Sequence, residues 1–88
     1  MQKSNNQTPY KSLDISFSAA ALTTRKVELV GYEQVNPYRF EFHLSPFDVC
    51  SKLYSDYING KLLVSAKDVS DNVKMLKSLA KRGGENYG

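Results

Sequence analysis

The chain has one cysteine, Cys50, and one histidine, His43. A single cysteine excludes an intrachain disulfide, and nothing in the sequence calls for an oxidising compartment. One imidazole and one thiol do not make the clustered ligand set of an ordinary metal site, so no metal and no cofactor are expected. No apolar run approaches the roughly 20 residues that span a bilayer. The segment Met1–Pro9 has no apolar core, so it does not read as a secretory signal. Together these absences predict a cytoplasmic protein with no membrane partner. No glycine-rich loop cradles a phosphate either. Gly83-Gly84 follows a helical pattern instead of opening one, which is the wrong end for an anion.

What remains is a short chain of globular composition. Its 88 residues make one domain. At this size roughly 60–65 % of the unfolded surface is buried, and stability is correspondingly modest. The net charge of +3 is mild, but it is unevenly spread. Residues 1–60 carry six basic and six acidic side chains. Residues 61–88 carry six basic and three acidic ones, so all the excess positive charge lies in the last third. Local asymmetry matters more than the total, because fields add over nearby charges.

The pattern along the chain predicts an α+β fold. Residues 1–9 are polar and read as a disordered tail, and residues 83–88 as a second, flexible one. Between them, residues 10–82 form the single domain. Leu13 to Thr24 alternates at first (Leu13, Ile15, Phe17) but also places Ile15, Ala19 and Leu22 at helical spacing. The alanine run Ala19–Ala21 favours helix, with Ser12 as its cap and Asp14 in its first turn. Lys26 to Val35 reads as a strand with Val27 and Leu29 on one face and a bulge at Gly31 that exchanges the faces. Asn36-Pro37 is a turn. Tyr38 to Leu44 alternates cleanly, with Tyr38, Phe40, Phe42 and Leu44 facing the core and Arg39, Glu41 and His43 facing away. Closeness in sequence makes these two strands an antiparallel hairpin.

Ser45-Pro46-Phe47-Asp48 predicts a second helix opened by a Ser45 cap and an Asp48 capping-box partner. Its apolar stripe is Val49, Cys50, Leu53, Tyr54, Tyr57 and Ile58, and Asn59-Gly60 ends it. Lys61 to Ser65 reads as the third strand. Ser65 to Asp68 repeats the capping pattern and opens a last helix, with Val69, Val73, Leu76 and Ala80 inward and Gly83 as its stop. The expected architecture is a small three-stranded sheet with about three helices packed on one face.

The order of these signals resembles a family of small bacterial and phage proteins known only as a domain of unknown function. The match runs over residues 10–82. It rests on Tyr10, Ser12 and Asp14 ahead of an alanine-rich helix and on an Asn-Pro turn before Arg39-Phe40-Glu41-Phe42. A helix ending Tyr57-Ile58-Asn59-Gly60-Lys61 and a final helix with Leu76-Lys77-Ser78-Leu79 complete it. The chain departs at Thr23-Thr24-Arg25-Lys26, where a glycine is expected. The resemblance implies this fold and a mobile-element setting, and it carries no catalytic residue.

Three groups of side chains invite a functional reading. Cys50 and His43 are the one pair to weigh for nucleophilic catalysis. Cys50 lies on an apolar stripe, where cysteine is an inert packing residue, and His43 lies on a polar strand face. No enzyme is therefore expected. Lys74, Lys77 and Lys81 recur at spacings of three and four, with Arg82 beside them, and such a helical face can follow a phosphate backbone. The competing reading is plain complementation of the helix dipole by these cations and by Asp68 and Asp71. Tyr38, Phe40 and Phe42 would stack bases if exposed, but period two under helices predicts core. Tyr54, Tyr57 or a free sheet edge could instead hold a protein partner. The favoured expectation is a non-enzymatic accessory module that binds nucleic acid or a nucleoprotein complex through Lys74, Lys77, Lys81 and Arg82. The alternative is a protein-interaction module, such as a phage-type inhibitor or a subunit of a larger complex, using Tyr54, Tyr57 or a sheet edge.

Overall fold

A computed structural model describes the backbone over residues 8–87 and the side chains through Arg82. The expected tail over residues 1–9 thus lies mostly outside the described residues, as does Gly88. The order of elements is β1 (Tyr10–Ser12), α1 (Ile15–Thr23), β2 (Glu28–Asn36), β3 (Arg39–Ser45), α2 (Phe47–Ile58) and α3 (Ala66–Tyr87). The fold is α+β, with a three-stranded antiparallel sheet in the order β1-β3-β2 and a β2–β3 hairpin.

The third strand is not the one predicted. Lys61–Ser65 joins no ladder and runs as a connector between α2 and α3, with Leu63 90 % exposed. Its alternation is real, because Leu62 and Val64 are half-buried while Lys61, Leu63 and Ser65 are exposed. The place beside β3 is already taken by β1, which pairs Tyr10 with Leu44 and Ser12 with Phe42.

The hairpin follows the sequence closely. Leu29 pairs with Leu44 and Gly31 with His43, so Val30 is the extra residue of a bulge. The bulge exchanges the faces of β2: Leu29 shares the core side with Leu44, and three residues on Tyr32 shares it with Phe42. A second irregularity at Val35 precedes the turn, where the Asn36 side chain accepts a bond from the Tyr38 amide at 2.8 Å. Tyr38 consequently belongs to the turn, and it is 93 % exposed instead of core.

Helix caps follow local chemistry more than the expected positions. Asp14, not Ser12, caps α1, accepting from the amides of Ser16 and Phe17 at 2.9 and 3.1 Å. Ser12 is drawn into β1, and its hydroxyl accepts from the Asp14 amide. Ser45 does not cap α2, because it ends β3 opposite Glu28 and leaves Pro46 as an N-cap with no side-chain bond. Ser65 caps α3 as expected, accepting from the Asp68 amide at 3.2 Å. Gly60 ends α2 in the left-handed region at φ +71. Gly83 does not stop α3, which continues to Tyr87. A glycine inside a helix costs about 1 kcal/mol but keeps its N–H, so it weakens the helix without forbidding it.

The core lies between the sheet and the helices in two linked clusters. Phe17, Ala21, Val27, Leu44, Cys50 and Leu53 form one under α2. Ala19, Phe42 and Leu76 form the other under α3, and Leu22 and Leu29 pack against both. Helix α1 therefore sits between α2 and α3. Its tie to α3 includes a hydrogen bond from the Asn72 amide group to Thr23 Oγ1 at 2.9 Å.

The missing glycine after α1 has a structural counterpart. Arg25 takes φ 63, the left-handed position that follows the Thr24 C-cap. A side chain there carries a strain of about 1–2 kcal/mol, partly offset by the lower unfolded-state entropy of a non-glycine residue. Arg25→Gly is expected to stabilise the domain by about 0.5–1 kcal/mol, read as a higher urea midpoint with an unchanged slope.

Candidate functional site

Helix α3 is amphipathic. Leu76 is fully buried, and Val69, Val73, Leu79 and Ala80 are half-buried on its inner side. At about 100° per residue, Lys74, Lys77 and Lys81 fall within about 60° of one another, with Lys74 and Lys81 turned away from Leu76 and Lys77 at the border of the inner side. All three are exposed, as is Arg82 on their flank. No salt bridge among the described residues involves any of the four.

The N-terminal half of the same helix is different. Lys67 continues the stripe, but Asp71 holds it at 3.0 Å, and that hydrogen bond raises the pKa of the ammonium. Asp68 and Asp71 also line a small cleft with Arg25. Acidic residues thus compensate the basic ones over the first turns, whereas from Lys74 to Arg82 the described residues hold no acidic side chain. Asp68 in the first turn is where the helix dipole favours a carboxylate.

The ridge borders a groove of about 340 Å³. Lys77 and Ala80 form its α3 wall, Tyr38, Arg39, Phe40 and Phe42 its hairpin wall, and Leu13 and Ile15 its end. An exposed aromatic ring, two cations and an apolar floor thereby meet at one place. Sequence reasoning did not assign Arg39 and Tyr38 to this site. The signal available was the Asn-Pro turn, which pulls Tyr38 out of the strand.

The two tyrosines proposed for a protein partner both lean on buried Phe17, Tyr57 half-buried and Tyr54 still exposed. Tyr54 meets Phe17 edge to face at 5.1 Å, and Tyr57 meets it at 5.4 Å. Tyr10 completes the cluster, 5.4 Å from Phe47 and 6.3 Å from Tyr54. Tyr54 keeps 39 % of its surface exposed and borders a larger open groove along β1, of about 640 Å³, which also reaches Arg39. Burial raises the pKa of Tyr10 and of Tyr57, as expected for phenols set among rings.

The free edges are β1 and β2. β1 has three residues, and β2 carries two irregularities with Glu28 and Glu33 along it. Short strands, bulges and charges are the features that discourage strand addition.

Cys50 and His43 do not meet as a catalytic pair. Cys50 is buried in the core beside Leu44, whereas His43 lies on the other face of β3. Burial and then the Asp48 charge push the Cys50 thiol up to about 11. On the outer sheet face, His43 Nε2 lies 3.1 Å from Glu41 Oε1, and Glu33 stands opposite Glu41 on β2. No sequence spacing signalled this group, because the hairpin register assembles it.

No protein-family model, no curated protein and no solved structure matches the chain. Among the described residues, no helix is long and apolar enough to cross a membrane.

The buried thiol has a pH consequence. Its pKa is raised in the folded state, so the stability it contributes is complete below about pH 9 and is lost as pH rises toward about 11. Tyr10 and Tyr57 shift in the same direction. The melting temperature is expected to fall through this alkaline window, more steeply in the native chain than in Cys50→Ala, and alkylation of Cys50 at neutral pH should require unfolding.

Proposed function

We propose that the protein is a non-enzymatic module that binds nucleic acid, alone or within a nucleoprotein complex, through the C-terminal half of α3. The observation that carries this reading is the exposed row Lys74, Lys77 and Lys81, with Arg82 on its flank, in which no cation makes a salt bridge among the described residues. A row of cations on a rigid helix neutralises successive phosphates and releases their counterions. The adjoining groove adds a preference for single strands. Arg39 and Lys77 flank it, and Tyr38 offers an exposed ring on which an unpaired base stacks.

Dipole complementation alone explains cations near a helix C-terminus. It does not explain why the row continues beside a groove walled by an exposed tyrosine and a second basic side chain from another element. The protein-interaction alternative draws less support from Tyr54 and Tyr57, whose rings are partly engaged by Phe17. What favours it is the apolar pair Ile58 and Leu63 near the α2–α3 connector, 60 % and 90 % exposed.

Fluorescence anisotropy with a labelled single-stranded oligonucleotide tests the reading. Four phosphate contacts predict a log–log salt slope of about −3 for single strands. Changing Lys74, Lys77, Lys81 and Arg82 together to alanine is expected to flatten that slope and weaken binding at low salt. Affinity indifferent to salt would rule the proposal out. Tyr38→Ala is expected to weaken single-strand binding about 5- to 150-fold, since stacking is worth about 1–3 kcal/mol per base, while leaving the salt slope unchanged. An unaffected affinity in that variant removes the stacking role.

A further inference from the structure

The outer face of the sheet carries a second group that the nucleic-acid reading does not use. In the hairpin register Glu33 lies directly opposite Glu41, and His43 is the next residue of β3 but one, on the same face. One ligand atom from each of the three side chains lies within 4.8 Å of the other two. Glu41 and His43 are about four-fifths buried, and Glu33 is exposed.

Two carboxylates facing each other across a ladder repel, and such pairs are unfavourable in sheets. His43 reaches only one of them, at Glu41 Oε1. The cations at hand are Lys11, opposite His43 on the β1 side, and Arg39, two residues before Glu41 on β3. Neither makes a salt bridge with Glu33 or Glu41 among the described residues. The like-charge pair is therefore left without a fixed counter-charge. Opposite His43 stands Gly31, so no β2 side chain crowds the imidazole.

We propose that Glu33, Glu41 and His43 bind a divalent first-row transition ion, with Zn²⁺ as the representative. One imidazole and two carboxylates are the borderline-to-hard donor set such ions accept, and three protein ligands leave a coordination position for water. The donors lie within 4.8 Å of one another, so a small closure of rotamers brings them to the roughly 3–3.5 Å mutual spacing that bonds of about 2.0–2.2 Å to one ion impose. The ion replaces the His43–Glu41 contact and neutralises the cross-strand repulsion, joining β2 to β3 at mid-hairpin. The site is open to water and built on two strands, so it strengthens the hairpin without being needed to fold it.

Because His43 is the only histidine, its ring signals report the site without ambiguity. Zn²⁺ is titrated into the full chain while the His43 ring resonances and the melting temperature are followed. Both are expected to shift, and Glu33→Gln is expected to weaken binding about tenfold or more. The same substitution removes the carboxylate repulsion, so without metal it should melt no lower than the native chain. His43→Asn should abolish the rise in melting temperature caused by Zn²⁺. Ring signals that stay still, or that move equally in Glu33→Gln, overturn the proposal. So does a Zn²⁺-induced rise in melting temperature that survives His43→Asn, which places the ion elsewhere.

Discussion

The architecture turns on a nine-residue helix that has almost no solvent face. Five consecutive residues of α1, Phe17 to Ala21, are buried, which is more than a full turn. A helix buried all round must be small on most sides, and three alanines and a serine meet that need. Ser18 satisfies its hydroxyl by donating to the Asp14 carbonyl at 2.9 Å, so no polar group is stranded. Phe17 is the exception in size, and the aromatic cluster forms around it. The small side chains let α3 approach closely on one flank, while α2 covers the other. Loss of α1 would leave both core clusters open, since Ala19 and Leu22 link Leu76 to the sheet.

That constraint also orients the lysine-bearing face of α3. Leu76, Val69 and Val73 must turn toward α1 and β3, so the residues half a turn away must face water. Lys74 and Lys81 occupy those positions, and Lys77 stands at their border with the inner side. The ridge is thus a geometric consequence of core packing, and its charge is a separate choice of side chain. The same packing sets α3 against the hairpin turn, which brings Lys77 beside Arg39 and Tyr38.

Much of this was legible in the sequence wherever a local rule decides. The hairpin, the bulge beside Gly31, the Gly60 stop and the Ser65 cap each follow from one or two residues and their immediate neighbours. The misreadings are of another kind. Lys61–Ser65 has the alternation of a strand, and pattern alone cannot say that β1 has already taken the vacant side of β3. Ser45 has the chemistry of a cap, but the ladder claims it first. Gly83 can end a helix and does not, because a permissive residue allows a left-handed turn without imposing one. For the site, the lysine spacing was visible and its exposed face followed from periodicity. Arg39, Tyr38 and the Glu33–Glu41–His43 group come together only through register and packing between distant segments.

The central claim is that residues 74–82 of α3, together with the turn at Tyr38 and Arg39, meet a polyanion. Backbone amide chemical shifts of the isotopically labelled chain, recorded as a short single-stranded oligonucleotide is added, test it most directly. The account predicts perturbations concentrated on α3 from Lys74 onward and on the β2–β3 turn, with the α2 amides near Tyr54 and Tyr57 undisturbed. Perturbations centred on α2 and the connector at Leu63, or none at all at low salt, would contradict it.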